Sequence, residues 1–204
     1  DKSILVVDRG MISAKNVKQL DLDVQPYVFA LRLQKKEKEL IDMHRQNLKL
    51  IDDNTSLTEA ILEENGRMKK YVIGHSKDIE EQSATGFEAR LKRVEEKLQK
   101  IKSDIDSGKH NLTDRRRKNI SCMLKNEKVS KFIKIEFNES GFSFKRIDES
   151  IEKARNYNGL FVISTTEIGL SGEDILKIYR EKDIIEKAFR TIKSEIDLRP
   201  FFLS

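Results

Sequence analysis

Two short apolar runs, Ile4-Leu5-Val6-Val7 and Tyr27-Val28-Phe29-Ala30-Leu31, set the strongest constraint on what this chain can become. The segment between them, Ser13 to Leu20, reads as a short helix with Ser13 as its cap and Val17 and Leu20 as apolar contacts. Strand, helix and strand at this spacing predict a βαβ unit, and therefore an α/β fold built on a parallel or mixed sheet. The run at residues 4–7 reads as an interior strand covered on both faces. Asp8 follows it directly. Strand carboxyl ends line the ligand crevice of open α/β sheets, so Asp8 is either a site residue or the cap of the next turn.

Further along, a charged helix is expected from about Lys36 to Leu50, a polar link over Asp52-Asp53-Asn54-Thr55-Ser56, and a short strand at Tyr71-Val72-Ile73. Phe87, Leu91, Val94, Leu98, Ile101 and Ile105 recur at spacings of four and three, the seam of a helix that packs against another helix. The seam is too short for a free-standing coiled coil and predicts an intramolecular helical hairpin, ended by Ser107-Gly108. Residues 132–137 and 142–144 read as a β-hairpin, Ile147 to Ala154 as a helix, Asn158-Gly159 as a turn and Leu160-Phe161-Val162-Ile163 as another buried strand.

The 204 residues suffice for one sizeable core, or a core plus an insertion. No apolar run approaches the roughly 20 residues of a membrane helix. Cys122 is the only cysteine, which rules out an intramolecular disulfide and suits a reducing, cytoplasmic setting. We read Cys122 as a semi-buried side chain, and His44, His75 and His110 as surface or loop residues without ligand spacing. The net charge of +5 is unevenly spread: residues 90 to 135 hold fifteen Lys and Arg against six Asp and Glu. That stripe, densest at Arg115-Arg116-Arg117-Lys118, suits either phosphate contacts on nucleic acid or a solvated helix face. Asp1 opens the chain almost directly on a strand and Phe201-Phe202-Leu203-Ser204 ends it without a polar tail, so part of a longer polypeptide is expected.

Ser171-Gly172-Glu173-Asp174 announces a last helix, expected to run to about Leu198 and to be ended by Pro200. Stepping about 100° per residue puts Ile178, Ile185, Phe189, Ile192 and Ile196 on one stripe. Lys182, Glu186, Arg190 and Lys193 cluster beside Tyr179 along its edge, while Arg180 and Glu181 fall on the solvated side. An acid between bases at the rim of a buried face suits metal ions and phosphates; it equally gives ordinary i,i+4 helix pairs.

Tyr179, Lys182, Glu186 and Lys193, separated by two, three and six residues, resemble the tyrosine-arginine-glutamate-lysine signature of insertion-sequence transposases of the DDE type. IEKAFRTIKSEIDLRP resembles that family's segment around its catalytic glutamate, VVDRGM the segment around its second catalytic aspartate, and NGLFVISTT the strand before its last helix. The likeness covers residues 1 to 35 and 157 to 203. It implies part of an RNase H-like catalytic core at 1–35 and 157–204, with a helix-rich, basic insertion containing a small β-hairpin at 36–156.

By the same resemblance Asp8 and Glu186 are catalytic and hold Mg²⁺ or Mn²⁺. Tyr179, Lys182, Arg190 and Lys193 contact DNA, together with the basic run Arg115, Arg116, Arg117 and Lys118, and the protein pairs transposon ends as a homodimer. The implied chemistry is metal-dependent DNA cleavage and strand transfer, with no membrane partner. Lys182 stands where arginine is usual, a point charge without the bidentate fork. The family's first aspartate has no counterpart here, so this chain alone is expected not to cleave DNA. The readings from other classes are an inactive remnant, and a DNA-binding or interaction module without chemistry.

Overall fold

The computed structural model describes residues 3–7, 13–139 and 141–182. In chain order these form β1 (Leu5–Val7), α1 (Ala14–Leu22), β2 (Tyr27–Ala30), α2 (Lys35–His44), β3 (Lys49–Leu50), β4 (Thr55–Glu64) and β5 (Arg67–Ser76). They continue with α3 (Lys77–Asp106), α4 (Asp114–Asn126), β6 (Ile133–Phe137), β7 (Phe142–Arg146), α5 (Asp148–Arg155) and β8 (Leu160–Thr165). A last helix, α6, occupies residues 172–182. The chain divides into two compact units, Asp1–Ser76 with Leu160–Ser204, and Lys77–Gly159. The second unit is smaller than the segment 36–156 expected from the sequence, because residues 49–76 add strands to the sheet of the first.

The first unit is a mixed α/β structure around a six-stranded sheet of order β1-β2-β8-β5-β4-β3. The βαβ expectation holds: β1 and β2 are parallel and α1 connects them. Ser13 caps α1, its Oγ accepting from Asn16 N at 3.2 Å. β1 is nevertheless the end strand of the sheet, not an interior one. It pairs only with β2 among the described residues, and Leu5 is 42% exposed. The interior positions belong to β2, β8, β5 and β4, with β8 antiparallel to both neighbours.

The charged stretch after β2 forms a helix only as far as His44, followed by a 3-10 turn at Arg45–Asn47 and the two-residue edge strand β3. The link at 52–56 is shorter than expected, since β4 begins at Thr55. β4 and β5 form a ten-residue hairpin in which Glu64 pairs with Arg67 across the two-residue turn Asn65-Gly66. Both turn residues have positive φ, 55° and 72°, as a turn matched to strand twist requires.

Strand alternation sorts the sheet into two faces. Tyr27, Phe29, Tyr71, Ile73 and Val162 fall on one, beneath α1 and α2, which contributes Leu40 and Ile41. Val28, Val72, Ile163 and Leu57 fall on the other, beneath α6, whose Ile175 and Leu176 are buried there. Gly74 lies on the α6 face, where a Cβ would stand 2.2 Å from the Phe161 ring. Only glycine lets those strands and that ring pack as they do.

The second unit has a core of its own. Leu91, Val94, Leu98 and Ile105 of α3 are buried with Ile120 and Leu124 of α4, Ile133, Phe142 and Ile151. The seam of fours and threes thus packs against a second helix of the same chain, as expected. Gly108 ends α3 with φ 73°. Arg146 makes a two-pronged pair with Glu95, at 2.7 and 2.8 Å.

Candidate functional site

Of the residues singled out in the sequence, Asp8, Glu186, Arg190 and Lys193 lie outside the described residues. Tyr179 and Lys182 are on α6, and the way that helix is held determines what they can do. Its N-terminus has the expected cap: Ser171 Oγ accepts from Asp174 N at 3.1 Å and donates to Asp174 Oδ2 at 2.6 Å. Glu59 of β4 accepts from Gly172 N at 2.5 Å and pairs with Lys70 at 2.8 Å. Lys70 also donates to Leu170 O at 2.5 Å. Lys70 and the Gly172 N–H hold the Glu59 carboxyl below the usual carboxylate range against the opposing effect of burial. The start of α6 is therefore tied to the middle of the hairpin.

Eight residues on, Arg180 Nη2 donates to Thr55 Oγ1 at 3.0 Å, at the first residue of β4. Arg180 is exposed, as expected of the solvated side, and its guanidinium is also anchored. The two tie points also give the direction of α6. β4 is antiparallel to β5, β5 to β8, and β8 to β2, so the passage from Glu59 back to Thr55 follows the direction in which β1 and β2 leave the sheet.

Between the tie points, Ile175 and Leu176 are buried and Ile178 and Tyr179 half-buried. Tyr179 therefore lies nearer the middle of the apolar stripe than its edge. Burying each aliphatic side chain contributes roughly 1.5–3 kcal/mol, against 0–1 for a surface ion pair, so the stripe holds the helix down and the polar ties fix its placement. Ile4, the residue before β1, packs against the same cluster as Ile178 and Tyr179. Lys182 Nζ lies 5.6 Å from the centre of the Tyr179 ring, an aromatic support beneath a cation.

In the second unit, Thr113 caps α4 and the basic run occupies its first turns. Arg115 and Lys118 are exposed. Arg116 donates to Asn111 O at 3.0 Å, and Arg117 donates to Asn138 O at 2.9 Å with its guanidinium over the Phe137 ring. Arg117 thus serves the unit's own structure, while Arg115 and Lys118 are left toward solvent and Arg116 is half-buried. A cavity of about 480 Å³ beside them is lined by His110, Asn111, Thr113, Arg115, Arg116 and Asn119. The second unit holds twenty Lys and Arg against fifteen Asp and Glu, which is the whole net charge of the chain.

Among the described residues no group of three or more His, Cys, Asp or Glu side chains could hold a metal ion. Cys122 is exposed, not semi-buried, and His75 lies within β5 opposite Leu160 and not in a loop. No described helix is long and apolar enough to cross a membrane.

Sequence reasoning missed the groups that organise the first unit. Lys69 and Lys70 are consecutive strand residues, so they point to opposite faces: Lys70 to the α6 anchor, Lys69 to Asp21 of α1 at 2.6 Å. Tyr27 donates its phenol to the same Asp21 at 3.0 Å. The Asn65-Gly66 pair was the available signal for the hairpin that carries both lysines. No family model, curated protein or solved structure matches this chain.

Proposed function

We propose that the first unit is part of an RNase H-like catalytic core of an insertion-sequence DDE transposase, acting in metal-dependent cleavage and strand transfer of DNA. One observation carries the reading beyond the sequence resemblance: Ile4, which leads into β1 and on toward Asp8, packs into one apolar cluster with α6, which leads toward Glu186, and α6 runs in the direction in which β1 ends. Asp8 and Glu186 supply carboxylate oxygens, the donor type that Mg²⁺ and Mn²⁺ prefer. When bound, such ions activate a water or a DNA 3′-hydroxyl and stabilise the departing oxygen.

Tyr179 and Lys182 then meet the phosphate backbone beside the reacting bond. The resemblance implies a further aspartate on a neighbouring strand, for which the edge of β1 that pairs with no strand among the described residues offers a place. Arg115, Arg116 and Lys118 of the second unit add sequence-independent DNA contacts, with Arg117 supporting them from behind.

Manganese binding by the 204-residue chain, followed through the relaxation of water protons, tests the shared site. Asp8→Asn and Glu186→Gln should each weaken binding, and the double variant should be little worse than either single one, because both remove one site. Independent, additive losses, or no loss, would end the proposal. The concentration of all the net positive charge in the second unit favours a second reading, a DNA-binding module without chemistry. On that reading DNA affinity persists while manganese binding ignores both substitutions.

A further inference from the structure

Glu59 reaches α6 at Gly172, its first residue, and so fixes that end, while the buried Ile175 and Leu176 hold the helix down without a directed bond to set its roll. A second tie sets that roll. Arg180 sits eight residues further on, about 12 Å along the axis at 1.5 Å per residue, and reaches the completely buried Thr55. Thr55 is itself fixed. Its N–H donates to Asp52 Oδ1 at 2.6 Å, alongside Asn54 N at 2.8 Å, and its hydroxyl also bonds the Asp52 carboxylate. Asp52, Thr55 and Arg180 thus form a chain of alternating acceptor and donor groups from a tight turn to the helix.

We infer that Arg180 is a positioning residue: anchored through Thr55 to the Asp52 turn, it sets the roll of α6 and so the direction in which Tyr179 and Lys182 present themselves to a phosphate backbone. This rests on the DNA reading of α6 given above. On the helix wheel Arg180 and Lys182 are about 160° apart, so Arg180 turned onto Thr55 holds Lys182 on the opposite side of the axis. The Tyr179 ring beneath Lys182 limits the remaining motion of the cation. Arg180 has no need to touch DNA for this role.

The test is binding of a short fluorescent DNA duplex to the whole chain, followed by anisotropy over a range of salt concentrations. Lys182→Met should lower affinity and reduce the slope of log affinity against log salt by about 1, as loss of one phosphate contact does. Thr55→Val removes no charge and keeps the β-branched shape, yet it should reproduce both effects while the chain stays folded, its melting temperature lowered only modestly by the lost hydroxyl bonds. Arg180→Lys should retain more affinity than Arg180→Met.

A Thr55→Val chain that binds as the parent does, while Arg180→Met binds more weakly, would show that Arg180 contacts phosphate itself and would overturn the inference. Parent-like binding by both, with Lys182→Met impaired, would show that the roll of α6 needs no second tie. Parent-like binding by Lys182→Met would remove the DNA reading of α6, and the inference with it.

Discussion

Lys69 Nζ lies 2.6 Å from Asp21 Oδ2, and both side chains are almost wholly removed from solvent. The pair joins α1 to the sheet. Tyr27 and Arg67 converge on the same carboxylate, at 3.0 and 3.9 Å, and burial with Asp21 beside it pushes the Tyr27 phenol up. Breaking such a pair leaves one uncompensated buried charge, which costs about 3–5 kcal/mol. Asp21→Asn and Lys69→Met should therefore each destabilise the first unit by that order in urea titrations. The double variant should be less destabilised than the sum, since the second change removes the orphaned charge. Additive losses would show that the two side chains act separately.

Val24 has φ 51°, a conformation rarely adopted by β-branched residues. It follows the C-cap of α1, where Gln25 N bonds Leu20 O at 3.0 Å and Val24 N bonds Asp21 O at 3.3 Å. This is the helix-ending motif whose left-handed position usually belongs to glycine. Val24 is 59% exposed, so little burial is lost on removing its side chain. Val24→Gly should raise stability by about 1 kcal/mol, visible as a higher melting temperature. A decrease would mean that the side chain makes contacts outweighing its backbone strain.

The parts of the fold legible in the sequence are those governed by local pattern. Ser13, Ser171, the seam from Phe87 to Ile105, Gly108 and the hairpin around residues 138–141 each carry their signal within a few residues. β4 escaped because Leu57, Glu59, Ala60, Leu62, Glu63 and Glu64 are good helix formers, and pairing with β5 overrides that preference. β1 read as interior because four aliphatic residues describe a buried strand equally well at any position in a sheet. Lys69 and Lys70 carry no local signal of their burial, because burial of a lysine depends on partners, here contributed by α1, β4 and the residues before α6. The two faces of α6 are read mostly from Ile185, Phe189, Ile192 and Ile196, beyond Lys182, which shifts the apolar stripe away from Tyr179.

Part of the second unit's stability should be lost in acid through Glu95. Arg146 and its two hydrogen bonds hold the Glu95 carboxyl below the usual carboxylate range against the smaller effect of burial. A depressed folded-state pKa gives stability that is full above the unfolded value, about 4.3 for glutamate, and is lost as pH falls through the folded value. Glu95→Gln should lower stability at neutral pH and flatten its decline below about pH 4.3. An unchanged acid limb in the variant would place the sensitivity elsewhere.

The segment Lys77–Gly159 should fold when expressed alone. Every member of its buried cluster comes from within it. Of the ten large hydrophobic side chains exposed among the described residues, Ile79 alone belongs to it. The chain leaves the sheet after Ser76 and returns at Leu160, and His75 is paired with Leu160, so its ends are close and closing them costs little loop entropy. The fragment should show helical circular dichroism and one cooperative urea transition. Because it carries the whole net charge, it should also bind DNA, with affinity falling steeply as salt rises. Arg115→Ala and Lys118→Ala should reduce that salt dependence, whereas Arg117→Ala should chiefly lower the unfolding midpoint, since its guanidinium serves Asn138 and Phe137. A fragment without a cooperative transition would show that this core depends on the first unit. A folded fragment indifferent to DNA would return its basic surface to an ordinary solvated one.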